Sequence, residues 1–245
     1  MWVAGVDGCR TGWVAVLMRA DDQHAHRIAT APTLAGIVDG PEQPAVVAVD
    51  MPIGLPDRMQ GSGRMPEQLI RPLLGGRQSS VFAIPSRRAV EADDYGEACA
   101  LAAATSDPPR KVSRQGFALF PKIREIDALL RARPDLASRV YEVHPELAFW
   151  ALNGRKALDQ PKKVKGTPYG PGMALRRELL TRSGLLPRAL IHAAPPRGAA
   201  QDDLLDALAG LTVALDIARG EGQSFPDPPG RDAHGLPVAI WTLRR

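Results

Sequence analysis

Apolar residues run from Val3 to Val6 and again from Trp13 to Met18, with the polar and glycine segment Gly8–Gly12 between them. Two such runs around a short turn predict two paired strands. A carboxylate, Asp7, ends the first run. Arg27 to Ala31 follows the polar stretch Asp21-Asp22-Gln23-His24 and predicts a third strand. Three early strands with tight connections predict an antiparallel meander. Thr33 to Val38 fits a short helix capped by Thr33. Ala45 to Asp50 is apolar without a break until the Asp, between Pro44 and Pro52. A strand buried on both faces has this pattern. It too ends on a carboxylate.

Residues 51–87 are rich in Gly and Pro and predict loops, with a short helix near Glu67–Leu74. Arg88–Ala104 is alanine-rich and predicts a helix. Leu119–Arg133 carries Ile123, Ile126, Leu129 and Leu130 at helical spacing. Arg139–His144 alternates like a strand, and Pro145 suits the first position of a helix ending near Leu152. Asp159–Gly172 predicts a basic loop with Lys162, Lys163 and Lys165. A helix follows over Met173–Ser183. Asp202–Arg219 is the clearest helix, stopped by Gly220. Val238–Leu243 predicts a last strand. A meander followed by strands alternating with helices implies an α/β fold, a mixed sheet with helices packed on it. The length suits one domain, with residues 53–135 as an insertion of loops and helices.

Composition narrows the function classes. Hydrophobic residues make up 44% and charged residues 24%, enough apolar material for a sizeable core. The formal charge of +4 permits phosphate or nucleic-acid partners without requiring them. The two cysteines, Cys9 and Cys99, make neither a disulfide framework nor a zinc pattern, so a reduced, cytoplasmic setting is expected. Glycine and acidic residues interrupt the N-terminal segment, which does not read as a signal peptide. No apolar run approaches the ~20 residues of a membrane span, so no membrane partner is expected. Aromatic residues are 5%, too few to predict a stacking platform for single strands.

The strand-end carboxylates then matter. If the strands ending in Asp7 and Asp50 are parallel neighbours, both acids emerge at one sheet edge, where α/β sheets bind ligands. Asp203 and Asp206 are three apart and share a helical face. Ala207 and Gly210 lie near that face and allow the helix to approach the sheet closely. Buried carboxylates repel one another unless a cation supplies the missing charge. Mg2+ and Mn2+ prefer such oxygen ligands, and carboxylate-bound pairs of these ions cleave phosphodiesters. The bland readings are a turn residue for Asp7, a strand stop for Asp50, a helix cap for Asp202 and a solvated face for Asp203 and Asp206.

A second tier of candidates surrounds these acids. Glu142 and His144 share a strand face, as a possible ligand and a general acid or base. Glu146 is a further ligand candidate, or it satisfies a helix N-terminus that His144 caps. Lys122 either pairs with Glu125 on a wet helix surface or touches phosphate. Arg71, Arg77, Arg87, Arg88, Lys162, Lys163 and Lys165 form either a basic rim for a phosphate backbone or a solubilising surface. Arg10, in the first turn, is a further candidate for substrate phosphate.

Several motifs occur together in order: Val6-Asp7-Gly8-Cys9-Arg10-Thr11-Gly12-Trp13, Asp50-Met51-Pro52-Ile53-Gly54-Leu55, Ser79-Ser80-Val81-Phe82, Pro121-Lys122-Ile123-Arg124-Glu125-Ile126-Asp127, Glu142-Val143-His144-Pro145-Glu146 and Asp202-Asp203-Leu204-Leu205-Asp206-Ala207. Their conjunction resembles the DUF429 family, described as predicted nucleases with an RNase H-like fold. The resemblance implies a five-stranded mixed sheet whose first three strands are antiparallel. It implies acids on the first strand, at the end of the fourth and on a late helix, which become Asp7, Asp50, Asp203 and Asp206. The Asp203-x-x-Asp206-Ala-Leu-Ala stretch is similar to the helix of resolvase-type members of that superfamily. The fourth-strand acid is often Glu there, and Asp50 departs from this. The implied activity is a metal-dependent nuclease or phosphodiesterase using Mg2+ or Mn2+ on nucleic acid. Two alternatives remain open: a nucleotide-binding phosphotransferase of the actin-like superfamily, whose first phosphate loop Asp7-Gly-Cys-Arg-Thr-Gly resembles, and a non-catalytic binding module.

Overall fold

A computed structural model of the chain describes residues 1–244. The opening apolar run forms β1 (Trp2–Cys9), which turns at Arg10 and Thr11 into β2 (Gly12–Arg19), with Cys9 opposite Gly12. β3 (Asp22–Ala31) completes the antiparallel meander on β2. On its other edge β1 pairs in parallel with β4 (Val46–Val49), and β4 pairs in parallel with β5 (Val140–Glu142). The order β3-β2-β1-β4-β5 is compatible with the RNase H-like arrangement that the family resemblance implies.

The central strands are apolar on both faces because both faces are covered. Successive side chains of a strand point to opposite sides. Val3, Val14, Val16 and Ala48 enter one core with Leu204, Leu208 and Leu211 of the late helix α6 (Gln201–Ala218). Ala4, Val6, Ala15, Val47 and Val49 enter the other. There they meet Ile37 of α1 (Leu34–Val38) and Ile123 and Ile126 of α3 (Phe120–Ala132). Thr33 caps α1 by accepting from the Gly36 amide.

α6 lies against the sheet at two glycines. A Cβ on Gly5 would collide with the Ala207 carbonyl and the Leu211 amide nitrogen. A Cβ on Gly210 would come within 3.2 Å of the Ala48 carbonyl and 3.4 Å of the Gly5 Cα. The contact is backbone on backbone, and it holds the N-terminal part of α6 over the carboxyl ends of β1 and β4.

Several elements differ from the sequence expectation. The helix expected over Arg88–Ala104 is two helices, Arg87–Val90 and Tyr95–Ala104. Asp94 starts the second by accepting from the Glu97 amide at 2.9 Å. Ahead of them, α2 (Met65–Ile70) runs into a 3-10 segment, Arg71–Ser80. The basic loop contains a two-stranded ribbon, Lys163–Val164 with Thr167–Pro168. After α4 (Pro145–Leu152), α5 starts at Gly170 and runs to Ser183. Gln223–Arg231 pairs with Pro237–Thr242 in a separate antiparallel ribbon. Its prolines, Pro226, Pro228 and Pro229, hid it as a strand in the sequence. No helix among the described residues is long and apolar enough to cross a membrane.

Candidate metal centre

Asp7 lies near the carboxyl end of β1 and faces α6, as Val3 and Gly5 do. Asp50 follows β4 directly. Its amide donates to the Val6 carbonyl at 2.9 Å, so the parallel ladder continues to the acid itself. Asp206 sits one helical turn before Gly210, where α6 presses on the sheet. One carboxylate oxygen from each of Asp7, Asp50 and Asp206 lies within 4.8 Å of the others. These acids line a cleft of about 540 Å³ whose walls include Glu146, His144, Lys122 and Lys162.

The electrostatics follow from that convergence. Burial pushes the Asp7 carboxyl well above the usual carboxylate range, and Asp50 and Asp206 push it further. Burial and then Asp206 do the same to Asp50. Asp206 is raised by burial to about 6, against the opposing pull of Lys162. Lys162 is penalised by burial, but Asp206 and Asp7 outweigh that penalty and raise its pKa. An apo cleft of this kind holds protons readily, and a cation can take their place.

Two lysines from the basic loop already answer part of this charge. Lys162 Nζ donates to Asp206 Oδ2 and lies 3.9 Å from Asp202 Oδ2. Lys163 Nζ lies 2.5 Å from Asp202 Oδ2. Asp206 Oδ1 and Asp202 Oδ1 are buried and have no hydrogen-bond partner among the described residues.

Asp202 and Asp203 exchange their expected places. Asp203 Oδ2 accepts the Ala200 amide at 2.8 Å, closing the first turn of α6. Asp202, expected as the cap, is buried beside the lysines. The spacing held a signal for this. Asp202 and Asp206 are four apart and share a face, whereas Asp203 stands three residues after Ala200, at the capping-box position for an acid.

The second-tier residues divide. Glu142 is buried and engaged. It accepts from the Ile53 amide at 2.7 Å and from Arg64 at 2.6 Å. Arg64 also donates to the Ile53 and Gly54 carbonyls and to Glu67. Burial raises Glu142 to about 7 in spite of Arg64. This pair anchors the loop after Asp50. Glu146 is held by Arg176 through Oε1, at 2.5 Å and 3.2 Å, while its buried Oε2 has no partner. His144 stands at the N-cap position of α4, as expected, but its side chain makes no capping hydrogen bond. Its Nε2 lies 3.3 Å from the Ser80 carbonyl, and burial lowers its pKa.

The basic candidates also separate. Lys122 does not pair with Glu125. Its Nζ donates to the Gly12 carbonyl at 2.5 Å and sits 4.5 Å from the Trp13 ring centroid. Glu125 instead accepts from the Trp13 indole and the Leu34 amide. Gly8 therefore makes room for the Lys122 stem, which a Cβ there would overlap. Arg87, expected on the rim, is buried between Asp127 and Asp232, which the apolar context of Ala89 and Val90 requires of a guanidinium. Arg71 is tied to Ser62 and to the Val81 carbonyl. Arg10, Arg88 and Lys165 are exposed and outside the cleft lining. Arg77 and Lys163 line it. No spacing or motif marks Arg64 or Arg176 as partners of these acids.

No curated protein and no solved structure matches the chain. The profile of one family, described as "Protein of unknown function (DUF429)", matches residues 5–231. With that match spanning all three converging acids and nearly the whole fold, the chain belongs to the DUF429 family.

Proposed function

We propose that the protein is a divalent-cation-dependent phosphodiesterase of the nuclease type. The observation that carries this reading is the approach of Asp7, Asp50 and Asp206 within 4.8 Å at the carboxyl ends of two parallel strands. The donor set fits Mg2+ or Mn2+, since all three converging groups are carboxylates and neither sulfur nor imidazole is among them. The unpartnered, buried Asp206 Oδ1 fits as well. Held by Asp7, Asp50 and Asp206, the ion would supply Lewis acidity at a phosphoryl oxygen and make water a better nucleophile at neutral pH.

The chain's own residues supply the remaining functions. His144 directs Nε2 at the Ser80 carbonyl, which places its proton there in the neutral ring and leaves Nδ1 as a lone pair in the cleft wall. Burial favours the neutral ring, in which Nδ1 can accept a proton from an attacking water. Arg77 and Lys163 stand at the cleft to orient a phosphate backbone. Glu142 and Arg64 fix the loop that carries Asp50. An actin-like phosphotransferase carries its core twice, whereas the described residues form one five-stranded sheet, which supports the hydrolase reading.

The test is cleavage of single- and double-stranded DNA, RNA, flap and junction substrates in Mn2+, with wild type and Asp7→Asn. Loss of cleavage in Asp7→Asn is expected. Cleavage at the wild-type rate would sink the reading.

A further inference from the structure

The two oxygens of Asp206 have different surroundings. Oδ2 accepts from the Lys162 ammonium, while Oδ1 is buried without a hydrogen-bond partner among the described residues. Asp206 itself is 4% exposed. A second buried oxygen in the same cleft, Glu146 Oε2, also lacks a partner, although Glu146 Oε1 is held by Arg176. Open acceptors therefore remain after the protein's own cations have been placed.

Sites with two divalent ions hold them about 3.5–4 Å apart. Ions so close share a carboxylate, one oxygen facing each ion. Asp206 has that divided arrangement here, with an ammonium on one oxygen and the other oxygen open. The charge count agrees. Lys163 neutralises Asp202. Asp7, Asp50 and Asp206 with Lys162 then leave two negative charges, the charge of a single divalent ion. Lys162 also comes from the segment between α4 and α5, where Arg176 donates to the Gln160 carbonyl at 3.1 Å. That bond fixes the backbone two residues before Lys162, so the ammonium is placed by the fold and not by a free surface chain.

We propose that the Lys162 ammonium fills the second cation position of the cleft, so that the site takes one divalent ion beside a resident lysine. The inference rests on the reading of the cleft as a divalent-cation site. On this view Lys162 does not rim the substrate. It holds Asp206 Oδ2 as a fixed positive charge, which a phosphate in the cleft would meet together with a bound ion.

The experiment is a titration with Mn2+ alone, counted by electron paramagnetic resonance and by calorimetry. Wild type and Lys162→Arg are expected to bind one Mn2+ per chain, and Lys162→Gln two. One ion in Lys162→Gln, or two in wild type, would overturn the inference. Wild type also serves without any variant: at saturating Mn2+ its spectrum should be that of an isolated ion, and the spin-coupled spectrum of a pair would overturn the inference however Lys162→Gln folds. Asp7→Asn separates this from the parent reading. If Mn2+ binding is absent in wild type, or unchanged in Asp7→Asn, the cation site itself is refuted and the inference with it.

Discussion

Gly5 and Gly210 meet backbone to backbone: a Cβ on Gly210 would lie 3.4 Å from the Gly5 Cα, and one on Gly5 would overlap α6. Neither neighbour is a flexible side-chain end, so the helix must move if Gly5 gains a side chain. Gly5→Ala is expected to cost about 1–3 kcal/mol, the usual penalty of overpacking, and to weaken Mn2+ binding by shifting Asp206. Gly8→Ala is the control, because its Cβ meets only the Lys122 side chain and no backbone. Urea unfolding of both variants checks this. Equal losses in the two would contradict the role given to the Gly5 contact.

Metal-free stability should fall as pH rises. Asp7, Asp50 and Asp206 keep their protons to higher pH when folded than the about 3.9 of an unfolded Asp. The folded chain therefore binds more protons over this range, and the slope of stability with pH is negative. For Asp206 the window runs from about 3.9 to about 6, and for Asp7 and Asp50 it extends upward. Melting temperatures in a chelator between about pH 5 and about pH 8 would show the decline. Asp7→Asn should flatten it; an unchanged slope in that variant counts against the shared burial of charge.

Asp7→Asn should separate stability from ion binding. Removing one of three crowded carboxylates relieves repulsion, so the metal-free variant is expected to melt higher than wild type near pH 8. Added Mn2+ should raise the melting temperature of wild type but not of the variant. Both curves come from one thermal-shift series, and a Mn2+ response preserved in the variant would place the ion elsewhere.

Arg64→Met should be among the most destabilising single changes. Arg64 is the buried partner of both Glu67 and Glu142. Removing one side of such a pair leaves uncompensated charge, at a cost of about 3–5 kcal/mol. Denaturant unfolding measures it. Glu142→Gln in the same background should recover part of the loss, because it removes one orphaned carboxylate; no recovery would mean that Arg64 acts through Glu67 and its carbonyl contacts instead.

The sheet was legible because its signals are local. The runs Val3–Val6, Trp13–Met18 and Ala45–Val49 each carry their own strand signature, and an Asp at the end of a buried strand is visible without a partner. Asp206 was legible through the helical period. The lysine and arginine partners were not, since nothing in the spacing ties Lys162 to Asp206, Arg64 to Glu142 or Arg176 to Glu146. Those pairs exist because a buried acid must find a cation somewhere in the fold, and only the packing says where. Asp202 and Asp203 were interchanged because a one-residue difference in where α6 begins decides which acid closes its first turn.

The ladder that carries Asp50 onto the Val6 carbonyl joins two acids early in the chain, but Asp206 comes only with the last long helix. During synthesis, the strands up to β5 emerge while the third acid, and the helix that covers one of their apolar faces, are still absent. The centre is thus the product of a long-range closure, a slow class of folding event. A ribosome-bound chain lacking α6 would carry two of the three converging acids, with the apolar sheet face that α6 covers still open.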